Sequence, residues 1–299
     1  MTKLHVTKMH GCWNIYGVIE DLQGELEKHL GGYDKLAAAI SAYIRSDGLL
    51  VIQHGNKTKY RMRIFNPDGF EAEMCGNGTR IIAKYIYDNG MINENELESP
   101  LEVYDGSNIV TPRINLNSEG EFESATVSMG KGKMLGINPV TILNKTFLGY
   151  KVDVGNPHYV IFDESASEHM AKEYGPFIEN HHDFQPYRTN VEFARIICSN
   201  WIDLFPWERG AGYTQACGSG ACAVVTAARK VHGTESDVDV VLPGGTLYIS
   251  VKDDDSIEKT GPAEYHPEES EYTIPDVEIF LAKQQRPEKE TNAMENKNP

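Results

Sequence analysis

The sequence predicts a mixed α/β protein of the α+β type, composed of two related halves. The main observation is a repeat: Cys75 precedes Gly-Asn-Gly and a segment with helical apolar spacing, and Cys217, 142 residues later, precedes Gly-Ser-Gly and a similar segment. Short strand-like runs surround both copies, so each half is predicted to be rich in sheet with one main helix. Aligning the two cysteines also aligns Phe65 with Trp207, Gly76 with Gly218 and Gly78 with Gly220.

Length and composition set the predicted domain boundaries. A chain of 299 residues is long enough for two domains of ordinary size. We predict an N-terminal half over residues 1–138 that carries Cys75 and a C-terminal half over residues 139–283 that carries Cys217. Residues 284–299 have no apolar face and are predicted to form a disordered tail.

The elements of the N-terminal half follow from apolar periodicity and turn residues. A helix is predicted to begin after Cys75 and to end near Asn89 and Gly90, which favour a helix terminus. The other predicted elements are a strand, loop and strand in residues 1–20, helical segments in 22–45, strands at 49–54 and 60–65, a turn at 66–69, and short strands between 101 and 129.

The C-terminal half is predicted to repeat this order. A helix follows Cys217, and Pro243 with two glycines marks a turn between two later strands. The remaining predicted elements are strands at 147–154 and 159–163, a helix at 165–179, strands at 190–197 and 201–207, and two strands within 238–251.

Composition and charge argue against several classes of partner. The net charge of −16 disfavours nucleic acid and anionic membranes, which select for basic surfaces. No apolar stretch reaches the roughly 18 residues of a membrane span, and the N-terminus lacks the apolar core of a signal peptide, so a cytoplasmic location is expected. The five cysteines include no CxxC pair, which argues against a disulfide framework or a metal site. We expect a small-molecule amino-acid partner, no metal and a homodimer.

The two Cys-Gly segments are the strongest candidates for chemistry. A cysteine just before a helix lies near unpaired N–H groups and the positive end of the helix dipole, which favour the thiolate. The neighbouring glycines allow a close backbone approach, and their N–H groups can hold a carboxylate. If the halves face each other, Cys75 and Cys217 lie on opposite sides of one anion-binding cleft, which suits moving a proton from one face of a carbon to the other. Cys12, Cys198 and Cys222 lack this context and are interpreted as inert.

Polar residues in loops and at predicted strand ends are further candidates. The acidic and basic neighbours at positions 208 and 209 could bind an ammonium and a carboxylate, with a surface ion pair as the alternative. His158 could hydrogen-bond a thiol, although a lone histidine is more often structural. The asparagines could instead serve only as turn residues. The set consists of Asn66, Asn156, His158, Asn190, Glu208 and Arg209.

At these residues the sequence resembles the diaminopimelate epimerase family, amino-acid racemases and epimerases that use two catalytic cysteines and no pyridoxal phosphate. The resemblance covers residues 1 to about 265 and rests on seven motifs in order: KMHG with Asn14, RIFNPDG-x-EAEMCGNGTR, GNPH, TNVEFA, WERGAG-x-TQACGSGACA, LPGG and TGPA. It implies two pseudo-symmetric halves, each a curled, mostly antiparallel sheet around a central helix. It also implies an active site between the halves and no cofactor.

The resemblance implies roles for individual residues. Cys75 and Cys217 would form the acid–base pair, and His158 and Glu208 would assist the thiols and bind the reacting ammonium. The residues implied to bind substrate are Asn14, Glu208, the pairs Gly76-Asn77 and Gly218-Ser219 at the reacting carboxylate, and Asn66, Asn156, Asn190 and Arg209 at the far end of diaminopimelate.

Three aromatic residues depart from the family pattern and are candidates for specificity. Where the family usually reads HGxGNDF, this chain reads HGCWNIY, which introduces Trp13 and Tyr16 and puts Ile15 in place of an aspartate. Where the family reads GAGET, this chain has Tyr213. We expect these segments to border the substrate pocket. Diaminopimelate is the leading substrate, and the alternative is a single amino acid such as histidine, whose imidazole could stack on the new aromatic rings.

Two other classes of function stay open at this stage. A non-catalytic amino-acid binding module would need only the glycine N–H groups, so the two intact cysteines argue against it. A thiol redox protein would need a nearby resolving cysteine, and Cys222, five residues after Cys217, is poorly placed for that role. The favoured prediction is a cofactor-independent isomerase that inverts an α-carbon with two thiols.

Overall fold

The computed structural model describes residues 3–284. Within them the chain forms a nine-stranded and an eleven-stranded β-sheet with a few helices, which confirms the predicted mixed α/β class with two sheet-rich halves. The predicted tail at 284–299 lies outside the described residues, apart from Gln284, the last residue of a helix. No helix within residues 3–284 is long and apolar enough to cross a bilayer.

The first sheet is built mainly from the N-terminal part of the chain. Its strands lie in the order β19 (Glu264–Tyr265), β1 (Leu4–Gly11), β2 (Asn14–Glu20), β3 (Leu49–His54), β4 (Tyr60–Phe65), β6 (Leu101–Val103) and β7 (Asn108–Val110), with β20 (Glu271–Ile274) paired to β1 and β5 (Glu71–Ala72) paired to β4.

The second sheet is built mainly from the C-terminal part. Its strands lie in the order β10 (Lys133–Ile142), β11 (Lys145–Asp153), β12 (Pro157–Phe162), β13 (Asn190–Cys198), β14 (Trp201–Glu208), β16 (Asp237–Leu242), β17 (Gly245–Val251), β18 (Ser256–Gly261), β9 (Phe122–Lys131) and β8 (Arg113–Leu116), with β15 (Gly212–Tyr213) paired to β14.

Each sheet has one helix on its inner face and at least one on its outer face. The helices are α1 (Glu25–Leu30), α2 (Asp34–Ile44), α3 (Gly76–Asp88), α4 (Glu168–Glu179), α5 (Gly218–His232) and α6 (Val277–Gln284), with a 3-10 turn at His182–Phe184. Strand β3 is buried on both faces: Leu50 and Ile52 pack with α3, whereas Leu49 and Val51 pack with α2. Because successive side chains of a strand point to opposite faces, a continuous apolar run suits such a two-sided position.

The repeat seen at the two cysteines extends through the strands that precede them. Val18 lies opposite Leu50 in the parallel pair β2–β3, and residues 142 positions later, Val160 and Glu192, lie opposite each other in the parallel pair β12–β13. The antiparallel pairs β3–β4 and β13–β14 keep the same correspondence. Residues 142 positions apart therefore occupy equivalent places in the two halves.

The sheets do not follow the sequence order completely. Strands β8 and β9 lie before residue 138 but belong to the second sheet, whereas β19 and β20 lie near the C-terminal end and belong to the first. The predicted division of the chain between residues 138 and 139 therefore stays a prediction. This exchange of strands between the two sheets matters for the site, because β9 and β18 run beside each other between the two inner helices.

Candidate active site

A cavity of about 1010 Å³ opens between the first turns of the two inner helices. Cys75, Gly76 and Asn77 line it from α3, and Gly218 and Ser219 line it from α5. The fold thus brings the two predicted Cys-Gly segments to one cavity, with Cys217 buried directly behind its wall.

Each cysteine is the residue immediately before the first turn of its helix. The Sγ atom of Cys75 accepts a hydrogen bond from the backbone N–H of Gly78 at 3.2 Å, and Cys217 Sγ accepts one from Gly220 at 3.3 Å. This is the capping position, where a side-chain acceptor satisfies an unpaired N–H group and lies at the positive end of the helix dipole. The local prediction for both cysteines agrees with this geometry.

A hydrogen-bond chain fixes the start of α3. Asn14 Nδ2 donates to the Asp47 carboxylate at 3.0 Å, and Asn77 Nδ2 donates to Asn14 Oδ1 at 3.1 Å. The fully buried Arg80 donates from Nη1 to Asn77 Oδ1 at 3.0 Å. The chain therefore holds Asn77 in one orientation at the cavity wall.

Tyr16 lies beside the first thiol. Its hydroxyl is 3.3 Å from Cys75 Sγ, and the ring is buried. Burial, together with the neighbouring thiol, raises the pKa of Tyr16 well above its ordinary value, so the phenol keeps its proton and can donate it to sulfur.

A different chain leads to the second thiol. His158 Nδ1 is 2.8 Å from Glu192 Oε1, and its Nε2 is 3.0 Å from Asn156 Oδ1. Asn156 Nδ2 donates to Ser219 Oγ at 3.4 Å, and Ser219 Oγ is 3.7 Å from Cys217 Sγ. The side chains of His158 and Glu192 are 0% exposed, so this contact is buried behind the cavity.

Negative groups surround Cys217. Burial raises the pKa of the Cys217 thiol well above its ordinary value, and the carboxylates of Glu208 and Glu192 raise it further. Glu208 lines the cavity, accepts a hydrogen bond from Thr214 Oγ1 at 2.5 Å, and has its own pKa raised by burial. Cys217 is therefore held as a neutral thiol.

Two groups of side chains have metal-ligand composition within residues 3–284. The donor atoms of His158, Glu192 and Cys217 lie within 4.8 Å of one another, as do those of a group on the surface, residues 181–183. Both ring nitrogens of His158 already face hydrogen-bond partners, so the buried group is accounted for as a hydrogen-bond cluster.

The structure brings only part of the predicted far-end group to the cavity. Asn66 and Asn156 line it. Asn190 instead donates to the Pro157 carbonyl at 3.0 Å and accepts from the Arg209 backbone N–H at 2.9 Å. The Arg209 guanidinium donates to the carbonyl of Tyr187 at 2.6 Å, so neither Asn190 nor Arg209 lines the cavity.

Both predicted segments border the cavity through neighbouring residues, but the rings of Trp13 and Tyr213 do not line it. Trp13 lies in the two-residue turn between β1 and β2 with φ of 60°, a left-handed conformation, and its ring stacks on His10 at 4.8 Å. The Tyr213 ring packs into the core of the second half beneath Lys172. Neither ring lines the cavity, because each is held by packing with its own half; of the three aromatic candidates only Tyr16 does.

The sequence analysis missed Glu192 and Lys259. Glu192 is a charged residue between the apolar residues Val191 and Phe193 in the buried part of its strand, an exception that indicates a buried partner. Lys259 alternates with Ile257 and Gly261 on the inward face of β18, lies at 1% exposure and lines the cavity. Both signals are visible in the sequence once the strands are assigned.

Sequence comparison places the chain beside known enzymes. A family model described as diaminopimelate epimerase matches residues 6–134 and 150–266. A diaminopimelate epimerase of Carboxydothermus hydrogenoformans is 37% identical over 271 residues, which cover 86% of this chain and 95% of that protein. One of Bacteroides thetaiotaomicron is 38% identical over 268 residues, which cover 88% of this chain and 96% of that protein.

Solved structures share the fold at low sequence identity. A PhzF-family phenazine biosynthesis protein of Bacillus anthracis has a TM-score of 0.67 at 14% identity, covering 92% of this chain and 99% of its own. A hydroxyproline epimerase of Agrobacterium vitis has a TM-score of 0.64 at 12% identity, covering 92% of this chain and 91% of its own.

Proposed function

The chain belongs to the diaminopimelate epimerase family and is an isomerase, and we propose that it inverts one α-carbon of diaminopimelate, converting the LL form to the meso form, with two cysteines and no cofactor. One observation carries the proposal: two cysteines cap two equivalent helices at a single cavity. The names of the relatives support the substrate.

The substrate carboxylate at the reacting carbon binds at the two helix starts. The backbone N–H groups of Gly76 and Asn77 on one side, and of Gly218 and Ser219 on the other, are the donors. When the α-proton leaves, negative charge moves onto the carboxylate oxygens, and fixed donors stabilise that charge more than they stabilise the starting carboxylate.

The substrate loses one proton and gains one proton in each turnover. The thiolate of one cysteine takes the α-proton, so a C–H bond breaks and an S–H bond forms. The thiol of the other cysteine gives its proton to the opposite face, so an S–H bond breaks and a C–H bond forms. The two cysteines exchange protonation states, and no electron acceptor is needed.

We assign the thiolate of the free enzyme to Cys75 and the thiol to Cys217. The raised pKa of Cys217 and the two carboxylates near it support the neutral form there. The Tyr16 hydroxyl, 3.3 Å from Cys75 Sγ, supports the charged form at the other site. Glu208 at the cavity wall is placed to bind the reacting ammonium.

Histidine is not favoured as a substrate. That alternative depended on several aromatic rings in the pocket, but Trp13 and Tyr213 lie outside it and only Tyr16 lines it. Relatives that are 37–38% identical over most of this chain carry the name diaminopimelate epimerase.

Assembly and location stay predictions. A homodimer is tested by light scattering during gel filtration, with a monomer mass as the contradicting result. A cytoplasmic location agrees with the five free cysteines, which suit a reducing compartment, and cell fractionation tests it.

Proton NMR in deuterated water with reductant tests the reaction. We expect loss of the α-hydrogen signal with LL-diaminopimelate and none with L-histidine. Cys75→Ala and Cys217→Ala should each lower epimerisation by roughly 10³-fold or more, because either change removes a proton carrier. Cys198→Ala, at an exposed cysteine, is the matched control and should keep the wild-type rate. Exchange on histidine alone, or full activity in either active-site variant, would contradict the proposal.

A further inference from the structure

Lys259 lies at a position that the reaction described above does not yet use. Its side chain points inward from β18 and is 1% exposed. The ammonium sits between the two helix starts: a β-carbon added to Gly76 or to Gly218 would collide with it. The same side chain lines the cavity. Two glycines, one from each half, thus make room for one cation.

Within residues 3–284 no carboxylate pairs with this cation. None of the hydrogen bonds among residues 3–284 involves its ammonium, and the charged neighbour that acts on it most strongly is another buried cation, Arg80. The other ionisable groups close to it include four thiols, and the proposed thiolate is one of them: Cys12, Cys75, Cys217 and Cys222. Burial and Arg80 lower the pKa of Lys259. An unpaired buried charge is costly, so this position favours an anion that arrives from outside.

Three positive features converge at this point. The N-termini of α3 and α5 each carry a partial positive charge and unpaired N–H groups, and the ammonium adds a full charge between them. An anion smaller than the cavity that binds both helix starts must lie beside the lysine. The α-carboxylate of an amino acid has that charge and size.

We propose that Lys259 is a catalytic residue that contacts the α-carboxylate of the substrate and stabilises the second negative charge which that group acquires when the α-proton leaves. The inference rests on the proposed epimerisation. The electron pair of the broken C–H bond moves onto the carboxylate oxygens, the proton goes to a cysteine, and Lys259 remains an ammonium throughout. Because the added charge exists only in the transition state and the intermediate, the lysine acts on turnover more than on binding.

Lys259→Met tests this role, because methionine keeps an unbranched side chain only one atom shorter and removes the charge. We expect kcat for α-hydrogen exchange to fall about 100-fold or more, with a smaller change in KM, as for the loss of a donor to a developing oxyanion. Lys131→Met is the matched control: it removes a lysine from the neighbouring strand β9, where the ammonium is exposed and pairs with Asp254 at 3.1 Å. It should keep kcat within about twofold. A folded Lys259→Met enzyme with kcat within threefold of wild type would overturn the proposal.

A second measurement titrates the wild-type chain, and it needs only the charge-conserving variant Lys259→Arg, not Lys259→Met, to assign one signal. Lysine labelled with ¹³C at the ε-carbon reports the titration of each ammonium, and the Lys259 signal is identified by its loss in Lys259→Arg. We expect this signal to titrate at higher pH when diaminopimelate is bound, because a carboxylate stabilises the charged form. An unchanged midpoint with saturating substrate overturns the contact. If the wild-type enzyme instead exchanges a different amino acid, the substrate assignment fails, and both measurements are repeated with that amino acid, because its α-carboxylate is the same group.

Discussion

The two thiol sites share one frame and differ in the side chains around it. At positions 142 residues apart, the N-terminal half has Tyr16, Leu50 and Asn66, and the C-terminal half has His158, Glu192 and Glu208. Leu50 packs beside Gly78 of α3, and the Glu192 carboxylate packs beside Gly220 of α5. The N-terminal set is uncharged, whereas the C-terminal set contains two carboxylates and an imidazole.

The two halves therefore have the same backbone arrangement around the thiols but different side chains beside them. Because of this difference, the two proposed bases, Cys75 and Cys217, need not have the same protonation state. The repeat gives both thiols the same capping position, so each can accept or give a proton. A two-base inversion needs one charged and one neutral thiol at any moment, and two identical environments would not select which. In the proposed mechanism, carboxylates next to Cys217 and a hydroxyl next to Cys75 make that selection in the free enzyme.

The largest effect expected from the difference is on stability. His158→Ala leaves the Glu192 carboxylate buried without its partner, which should lower the free energy of unfolding by about 3–5 kcal/mol. Tyr16→Phe, at the equivalent position, removes one hydrogen bond to the sulfur of Cys75, which is partly exposed at the cavity, and should cost about 0.5–1.5 kcal/mol. Urea denaturation of the two variants measures both values. Equal losses in the two variants would show that the His158–Glu192 contact contributes no more to stability than the Tyr16–Cys75 hydrogen bond.

Much of this comparison was accessible from sequence, and the reason is the repeat. The cysteine alignment predicted both capping positions, and the same offset of 142 residues pairs Asn14 with Asn156 and Tyr16 with His158. Applying the same offset to the strands aligns Glu192 with Leu50, which identifies a charged residue at a position that is apolar in the other half. A constant offset is informative because it requires no insertion between the compared elements.

Other features left weaker signals. Strand β10 was not predicted, because it lies at a sheet edge and most of its residues are partly or fully exposed, which removes the apolar alternation. The packing of Trp13 and Tyr213 away from the cavity depends on contacts with distant residues, such as His266 and Lys172. Long-range packing of that kind has no local pattern, so the family position suggested a pocket contact that the rings do not make.

The reactivity of the two thiols should differ next most strongly. Iodoacetamide near pH 7.5 should label Cys75, which is partly exposed at the cavity, on the order of 100-fold faster than Cys217. Because burial and two carboxylates raise the pKa of Cys217, its labelling should increase only above the ordinary thiol range of about 8.5. Peptide mass spectrometry gives both rates, with the exposed Cys198 as an internal reference.

Glu208→Gln is the sharpest control for that asymmetry. Removing a negative charge that raises the pKa of Cys217 should make this thiol easier to ionise, so its labelling should speed up while labelling of Cys198 stays constant. If Cys217 is labelled as fast as Cys75 in the wild-type enzyme, or more slowly after Glu208→Gln, the carboxylates do not set its protonation state.

The smallest effect is expected from Tyr16→Phe on catalysis. Among the side-chain hydrogen bonds of residues 3–284, the one from a hydroxyl to the Cys75 sulfur comes from Tyr16, at 3.3 Å. Losing it should slow the direction in which Cys75 removes the proton by roughly five- to tenfold, the size of one hydrogen bond to the thiolate. The acidic limb of the pH–rate profile should also move to higher pH, since the charged form loses a donor. The opposite direction, which begins with Cys217 as base, should change less. Steady-state rates from LL- and meso-diaminopimelate separate the two directions, and equal slowing of both with an unmoved profile would mean that Tyr16 only packs beside the thiol.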